Sequence, residues 1–108
     1  MNMKEEHRKQ LLDLFYHVRD NGPIDGSEGI CCEVWRHFGY DSSTALAFDE
    51  FSLDAFRAWP EGGGRGVSPM TLDLDRKSPL ANWDKSTALG QKRYRLLDYL
   101  IAKLEAEE

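Results

Sequence analysis

The residues best suited to chemistry in this chain are glycines and cations that could hold an anion. Gly63 and Gly64 precede Arg65 in a glycine-rich stretch at residues 62–66. Glycine lets backbone N–H groups approach an anion closely, and one arginine can donate two hydrogen bonds to a phosphate. The stretch lacks the Gly-Lys-Ser/Thr of a P-loop and the strand context of a dinucleotide-binding loop. It therefore predicts either an anion contact or a plain flexible connection.

A second group of cations lies near the start of the predicted C-terminal helix. Lys92, Arg93 and Arg95 fall in its first turns, where the helix dipole opposes positive charge by about 0.3–1 kcal/mol per exposed residue. We therefore expect the cluster to have a binding role and to form one anion-facing surface with Arg65. The alternative is a solvated face whose long side chains cover aromatic rings.

Tryptophans could complete such a site by stacking on a nucleobase. Trp59 and Trp83 are the candidates for this contact, and Trp35 is the third tryptophan of the chain. Large aromatic side chains are more often part of a core, so we expect at least two of the three to be structural.

No residue pattern indicates catalysis or a bound metal. The three histidines show no ligand spacing with cysteine or carboxylate, and no Ser/His/Asp or paired-carboxylate arrangement can be singled out. Cys31 and Cys32 are adjacent, a spacing at which disulfide geometry is hard to meet. We expect Cys31 to be a small buried apolar residue. The chain is therefore expected not to be an enzyme and to use no cofactor.

The composition favours an ordered single domain, residues 1–108, with an acidic surface. Hydrophobic residues make up 41% of the chain, and 19 acidic residues against 14 basic ones give a net charge of −5. This balance argues against general nucleic-acid binding, which a basic field normally drives. The sequence has no apolar run of membrane-spanning length and no signal peptide core, so we expect a soluble cytoplasmic protein.

Hydrophobic periodicity predicts a mainly α fold of about four helices with a long irregular loop. The predicted helices lie near residues 3–21, 28–38, 49–58 and 90–106. Asn21-Gly22-Pro23 should end the first, and Asp25 or Ser27 could cap the second. Alternating residues near 67–74 allow a short strand, although no partner strand is evident except in an oligomer.

The third helix is expected to begin with Asp49 as its N-cap. Phe48 and Leu53 would then form a hydrophobic staple, and Trp59-Pro60 would stop the helix. Alternatively, the segment from Tyr40 to Phe48 contains a short irregular helix around residues 44–47. Trp83 is expected to anchor the long loop to the helical core.

Three short segments, taken in order, span about residues 29–104. They are Gly29-Ile30-Cys31 at a helix start, Phe56-Arg57-Ala58-Trp59-Pro60 with a following glycine-containing loop and Val67-Ser68-Pro69, and Trp83 with Gly90 and the run from residue 93 to 101. Together they resemble a family of small proteins of tailed bacteriophages and prophages. The triple glycine and Cys32 depart from that pattern. The resemblance implies phage origin and expression in the bacterial host cytoplasm, and it supplies no catalytic motif.

Two functions are consistent with these expectations. Small acidic phage proteins often counter host defences, either by sequestering a nucleotide signal or by occluding a defence protein. The first hypothesis is therefore a non-enzymatic phage accessory protein, with an anti-defence role, that binds an anionic nucleotide-like molecule as a homo-oligomer. The second is an acidic inhibitor that presents Asp and Glu side chains to a host defence or nucleic-acid-binding protein.

Overall fold

The computed structural model describes residues 3–24, 29–61 and 83–107. Within these ranges the chain forms four α-helices: α1 (Glu5–Asn21), α2 (Ile30–Phe38), α3 (Ser43–Ala58) and α4 (Ala88–Ala106). The predicted mainly α fold of about four helices is therefore confirmed. The possible strand near 67–74 and most of the predicted irregular loop lie outside the described residues.

The core forms where α1 packs against α3 and α4, while α2 packs against α3. The largest fully buried apolar side chains come from three of these helices: Leu11, Phe15, Phe48, Leu97, Leu100 and Leu104. The Tyr99 hydroxyl donates a hydrogen bond to the Ala55 carbonyl at 2.8 Å, which joins α4 to α3. Helix α4 thus contacts both α1 and α3.

Helix α1 supplies the groups that offset the unfavourable charge at the end of α4. Arg8 donates from Nη1 to the carbonyl of Leu104 at 3.3 Å, so it caps one of the last free carbonyls of α4. The Tyr16 hydroxyl donates to the Glu105 carboxylate at 3.0 Å. The acidic C-terminus of α4 is therefore held by α1 and is not simply a solubilising end.

The start of α4 depends on a close backbone approach at Gly90. Thr87 is the N-cap, and its Oγ1 accepts from the Gly90 N–H at 2.9 Å. The Asp84 backbone crosses directly over Gly90, so that a Cβ on Gly90 would lie 1.8 Å from the Asp84 oxygen. Trp83 is buried and meets Tyr94 edge to face at 5.2 Å between ring centroids. Trp83 therefore belongs to the helical core, whereas most of the loop that it was predicted to anchor lies outside the described residues.

The predicted start of the third helix is wrong. Helix α3 begins at Ser43, and its N-cap is Ser42, whose hydroxyl accepts from the Ala45 N–H at 3.1 Å. Asp49 lies inside the helix and forms no cap. Leu53 is 61% exposed, so the predicted hydrophobic staple does not form. The helix extends backwards because Thr44, Ala45 and Phe48 continue the buried side of its later turns.

The predicted cap of the second helix is also wrong. Gly29 is the N-cap of α2 and offers no side-chain cap, while Asp25 and Ser27 lie outside the described residues. The helix ends as predicted at Phe38, because Gly39 takes a positive φ of 95° and its N–H donates to the Trp35 carbonyl. Helix ends were thus easier to predict than helix starts.

Candidate functional site

Arg95, one of the predicted anion ligands, forms an ion pair within the protein. Its guanidinium donates from Nε and Nη2 to the Glu61 carboxylate at 2.8–3.0 Å. The hydrogen bonds from Arg95 lower the pKa of Glu61, and those same bonds raise the pKa of Arg95. A phosphate at Arg95 would therefore have to displace a carboxylate.

Arg93 lies inside the protein and not on an open cationic surface. Its side chain is only 3% exposed, and a Cβ on Gly29 would come within 3.3 Å of its Nη1 atom. Burial lowers the pKa of Arg93, while the nearby Cys32 opposes that shift. The guanidinium thus packs beside the start of α2, and the exposed part of the predicted cluster is formed by Lys92 and Arg95.

Two of the three tryptophans are structural, as predicted. Trp59 and Trp83 are both buried, and the Lys92 ammonium lies 5.9 Å from the centre of the Trp59 indole. A stacked base would have to replace the groups that now cover these two rings. Gly63, Gly64 and Arg65 lie outside the described residues, so their meeting with Lys92 stays a prediction.

Helix α3 carries an exposed side that the sequence analysis missed. Leu46, Glu50 and Leu53 are separated by steps of four and three residues, which places them on one side of the helix. Leu46 is 57% and Leu53 is 61% exposed, whereas most large apolar residues of the described helices are covered. Asp54 follows Leu53 and borders the same side. Together these four residues form a stripe that exposes leucines and carboxylates side by side.

The stripe continues onto the end of α2. The Trp35 indole N–H donates to Asp49 at 3.0 Å, and Asp49 lies one helical turn from both Leu46 and Leu53. Tyr40 stacks on Trp35 with 5.6 Å between ring centroids, and Tyr40 is itself 65% exposed. We call this continuous surface the acidic leucine face. It is formed by Trp35, Tyr40, Leu46, Asp49, Glu50, Leu53 and Asp54.

The outward carboxylates of this face have no hydrogen-bond or ion-pair partner among the residues that the structure describes. In the described ranges, Glu50 and Asp54 make no hydrogen bond or ion pair, and the same holds for Asp41 beside Tyr40. Four other acidic residues are already engaged: Glu5 with Arg8, Asp20 with Arg19, Glu61 with Arg95 and Glu105 with Tyr16. Apolar side chains rimmed by polar ones are typical of protein interaction sites.

Comparison of the chain with protein-family models, with curated proteins and with solved structures finds no match. The site must therefore be interpreted from its own geometry.

None of the four described helices is both long enough and apolar enough to cross a lipid bilayer.

Among the described residues, the cysteines and histidines indicate no second site. Cys31 is buried, and this burial raises the pKa of its thiol well above the ordinary range, so the reactive thiolate is disfavoured. Over the ranges that the structure covers, no three His, Cys, Asp or Glu side chains converge as metal ligands. His17 and His37 are exposed. The acidic leucine face is therefore the strongest candidate site in this part of the chain.

Proposed function

We propose that this protein is a non-catalytic inhibitor that docks its acidic leucine face onto a positively charged surface of another protein. The observation that carries the proposal is that exposed leucines lie beside carboxylates with no partner among the described residues. Exposed leucines are unfavourable in water, and the unpaired carboxylates are available for ion pairs. A partner surface with apolar and basic side chains would cover the leucines and pair with the carboxylates. The face thus has the chemistry of a recognition surface.

The apolar part of the face would provide affinity. Burying apolar surface contributes about 25 cal/mol per Å², so covering Leu46, Leu53 and Tyr40 stabilises a complex. The tyrosine is held by its stack on Trp35, so little side-chain entropy would be lost on binding. These side chains are therefore the expected energetic centre of the interface.

The charged part of the face would provide selectivity and speed. Glu50 and Asp54 can pair with lysine or arginine of a partner without breaking an existing ion pair. Complementary charges of this kind raise the association rate and make it sensitive to salt. Proteins that bind nucleic acids carry basic surfaces of the required sign. Together with the resemblance to phage proteins, this supports a host defence or nucleic-acid-binding protein as the partner.

A capture experiment with matched leucine and isoleucine variants tests this proposal. The wild-type protein is immobilised, exposed to bacterial lysate, and the bound protein is identified, purified and titrated back. Leu53→Ser removes an exposed leucine of the face, and Ile24→Ser removes an apolar side chain that is 44% exposed outside the face. We expect Leu53→Ser to weaken binding at least about tenfold, or 1.4 kcal/mol, and Ile24→Ser to leave it unchanged.

Two results would reject the docking proposal. One is a partner that binds wild type and Leu53→Ser equally well. The other is a partner with an acidic contact surface, or one whose binding does not weaken as salt is raised. Unfolding curves of both variants must match wild type to within about 0.5 kcal/mol, as expected for exposed positions.

Binding of a nucleotide-like molecule is a second candidate, supported by one observation at the head of α4. The indole N–H of Trp83 is buried and finds no hydrogen-bond acceptor in the described part of the chain. Calorimetry against cyclic and ADP-ribose-type nucleotides tests this candidate. Absence of binding across the panel, or equal affinity in Arg65→Ala, would reject it.

A further inference from the structure

A groove of about 350 Å³ lies between the C-terminal ends of α3 and α4. Its apolar lining residues are Phe51, Ala55, Ala58 and Ala106. The groove is open because its alanines are small, and larger side chains at these positions would fill the space. The groove also includes Asp54, so it adjoins the acidic leucine face.

The rim of this groove is negatively charged. Asp54 and Glu107 line it, and within the described ranges neither carboxylate makes a hydrogen bond or ion pair. Lys103 is the one cation among the described lining residues, and its ammonium lies 5.6 Å from the centre of the Tyr99 ring, which attracts it. The two carboxylates repel phosphate and attract a cation. The apolar lining residues favour a cation that is carried by a hydrocarbon chain, as in the side chains of lysine and arginine.

We propose that this groove binds an arginine side chain of the partner protein. The methylene groups of the arginine lie on Phe51 and the alanines, and the guanidinium lies between the Asp54 and Glu107 carboxylates. The groove is at the lower end of the roughly 300–1,000 Å³ of ligand clefts, a size suited to a single side chain. Arginine is enriched among the residues that dominate binding energy at interfaces. This inference rests on the proposed function, for which it names the anchoring contact.

The inference can be tested without the partner by nuclear magnetic resonance. The probe is N-acetyl-arginine amide, titrated into the ¹⁵N-labelled protein, with N-acetyl-norleucine amide as the uncharged control. We expect saturable shifts at the amides of Ala58 and Ala106, and at least about tenfold weaker binding of norleucine. Asp54→Asn, which preserves the volume of the rim, should weaken the arginine site.

A matched pair of variants decides whether the groove is the binding site. Ala106→Phe fills the groove, whereas Ala102→Phe adds the same ring at an exposed position of α4 that does not line it. We expect Ala106→Phe to abolish the shifts and Ala102→Phe to retain them. Arginine-induced shifts that persist in Ala106→Phe, or that spread over all acidic residues, would overturn the inference.

Failure of this inference is distinguishable from failure of the proposed function. If arginine does not bind the groove while partner capture still depends on Leu53, the anchor is wrong and the docking face stands. If capture does not depend on Leu53 while arginine binds the groove, the docking proposal is wrong and the groove remains a cation site.

Discussion

The start of α4 requires glycine at position 90, because the Asp84 backbone occupies the space that a side chain would fill. The Asp84 carbonyl accepts from both the N–H and the hydroxyl of Thr87, and this turn presses the Asp84 backbone onto Gly90. The sequence showed the glycine but not the reason for it, because the contact depends on the path of the chain before α4. Lys92 and Arg95, two of the predicted anion ligands, follow this turn in the first half of α4.

Replacing Gly90 with alanine should destabilise the fold. At an open helical position the change would stabilise the helix by about 0.5–1 kcal/mol. Here the added Cβ collides with backbone atoms of Asp84, and overpacking of this kind costs about 1–3 kcal/mol, or more where the backbone must move. Urea denaturation measures the difference. A Gly90→Ala protein that is as stable as wild type would show that the turn is not as close as described.

The Glu61–Arg95 pair predicts a specific titration. Because Arg95 lowers the pKa of Glu61, the contribution of the pair to stability is present above the ordinary carboxyl pKa and is lost as pH falls through the lowered value. In Arg95→Met, the pKa of Glu61 should return towards its ordinary value of 4.5. Carboxyl-carbon nuclear magnetic resonance follows this titration, with Asp20, which is paired to Arg19, as the unaffected internal control. An unchanged Glu61 titration would contradict the pairing.

Helix α3 is the element on which both proposals depend, and its first half was the part that sequence reasoning predicted poorly. Asp49 with Phe48 and Leu53 satisfied the rules for a helix start, yet Ser42 is the cap that forms. Two valid capping signals were present, and burial of Ala45 and Phe48 selected the earlier one. With α3 starting at Asp49, Leu46 fell outside the helix, so the exposed pair with Leu53 could not be recognised.

Removing the Ser42 hydroxyl should shorten α3 from its start. The Ser42 hydroxyl accepts from the Ala45 N–H, and loss of such a cap typically costs about 1 kcal/mol, within a range of about 0.5–2. Thermal and urea unfolding of Ser42→Ala measure the loss. Ser42→Asp retains an acceptor and should restore most of the stability. Equal stability of wild type and Ser42→Ala would argue for a later helix start.

The molecule carries a net negative charge, and only some of its described carboxylates are paired within the fold. The net charge of −5 predicted that general nucleic-acid binding is absent, but it could not show where free carboxylates gather. That distribution depends on which acids meet a hydrogen-bond donor from another part of the fold, as Glu61 meets the Arg95 guanidinium and Glu105 meets the Tyr16 hydroxyl. Only the assembled fold separates these from Glu50 and Asp54.

The predicted homo-oligomer is a separate question from the docking face. In a twofold dimer built on this face, Glu50 of one copy would lie opposite Glu50 of the other, because it lies between Leu46 and Leu53. Like charges at the centre of an interface oppose association. The face therefore suits a basic partner better than a second copy.

The most direct measurement is the effect of charge reversal on affinity for the captured partner. Glu50→Lys reverses a charge on the acidic leucine face, and Glu6→Lys makes the same change at an exposed position on α1. Both variants shift the net charge equally, so long-range effects cancel in the comparison. We predict that Glu50→Lys weakens binding at least about tenfold more than Glu6→Lys at low salt, and that this difference shrinks as salt rises. Equal affinities of the two variants would contradict the assignment of the face.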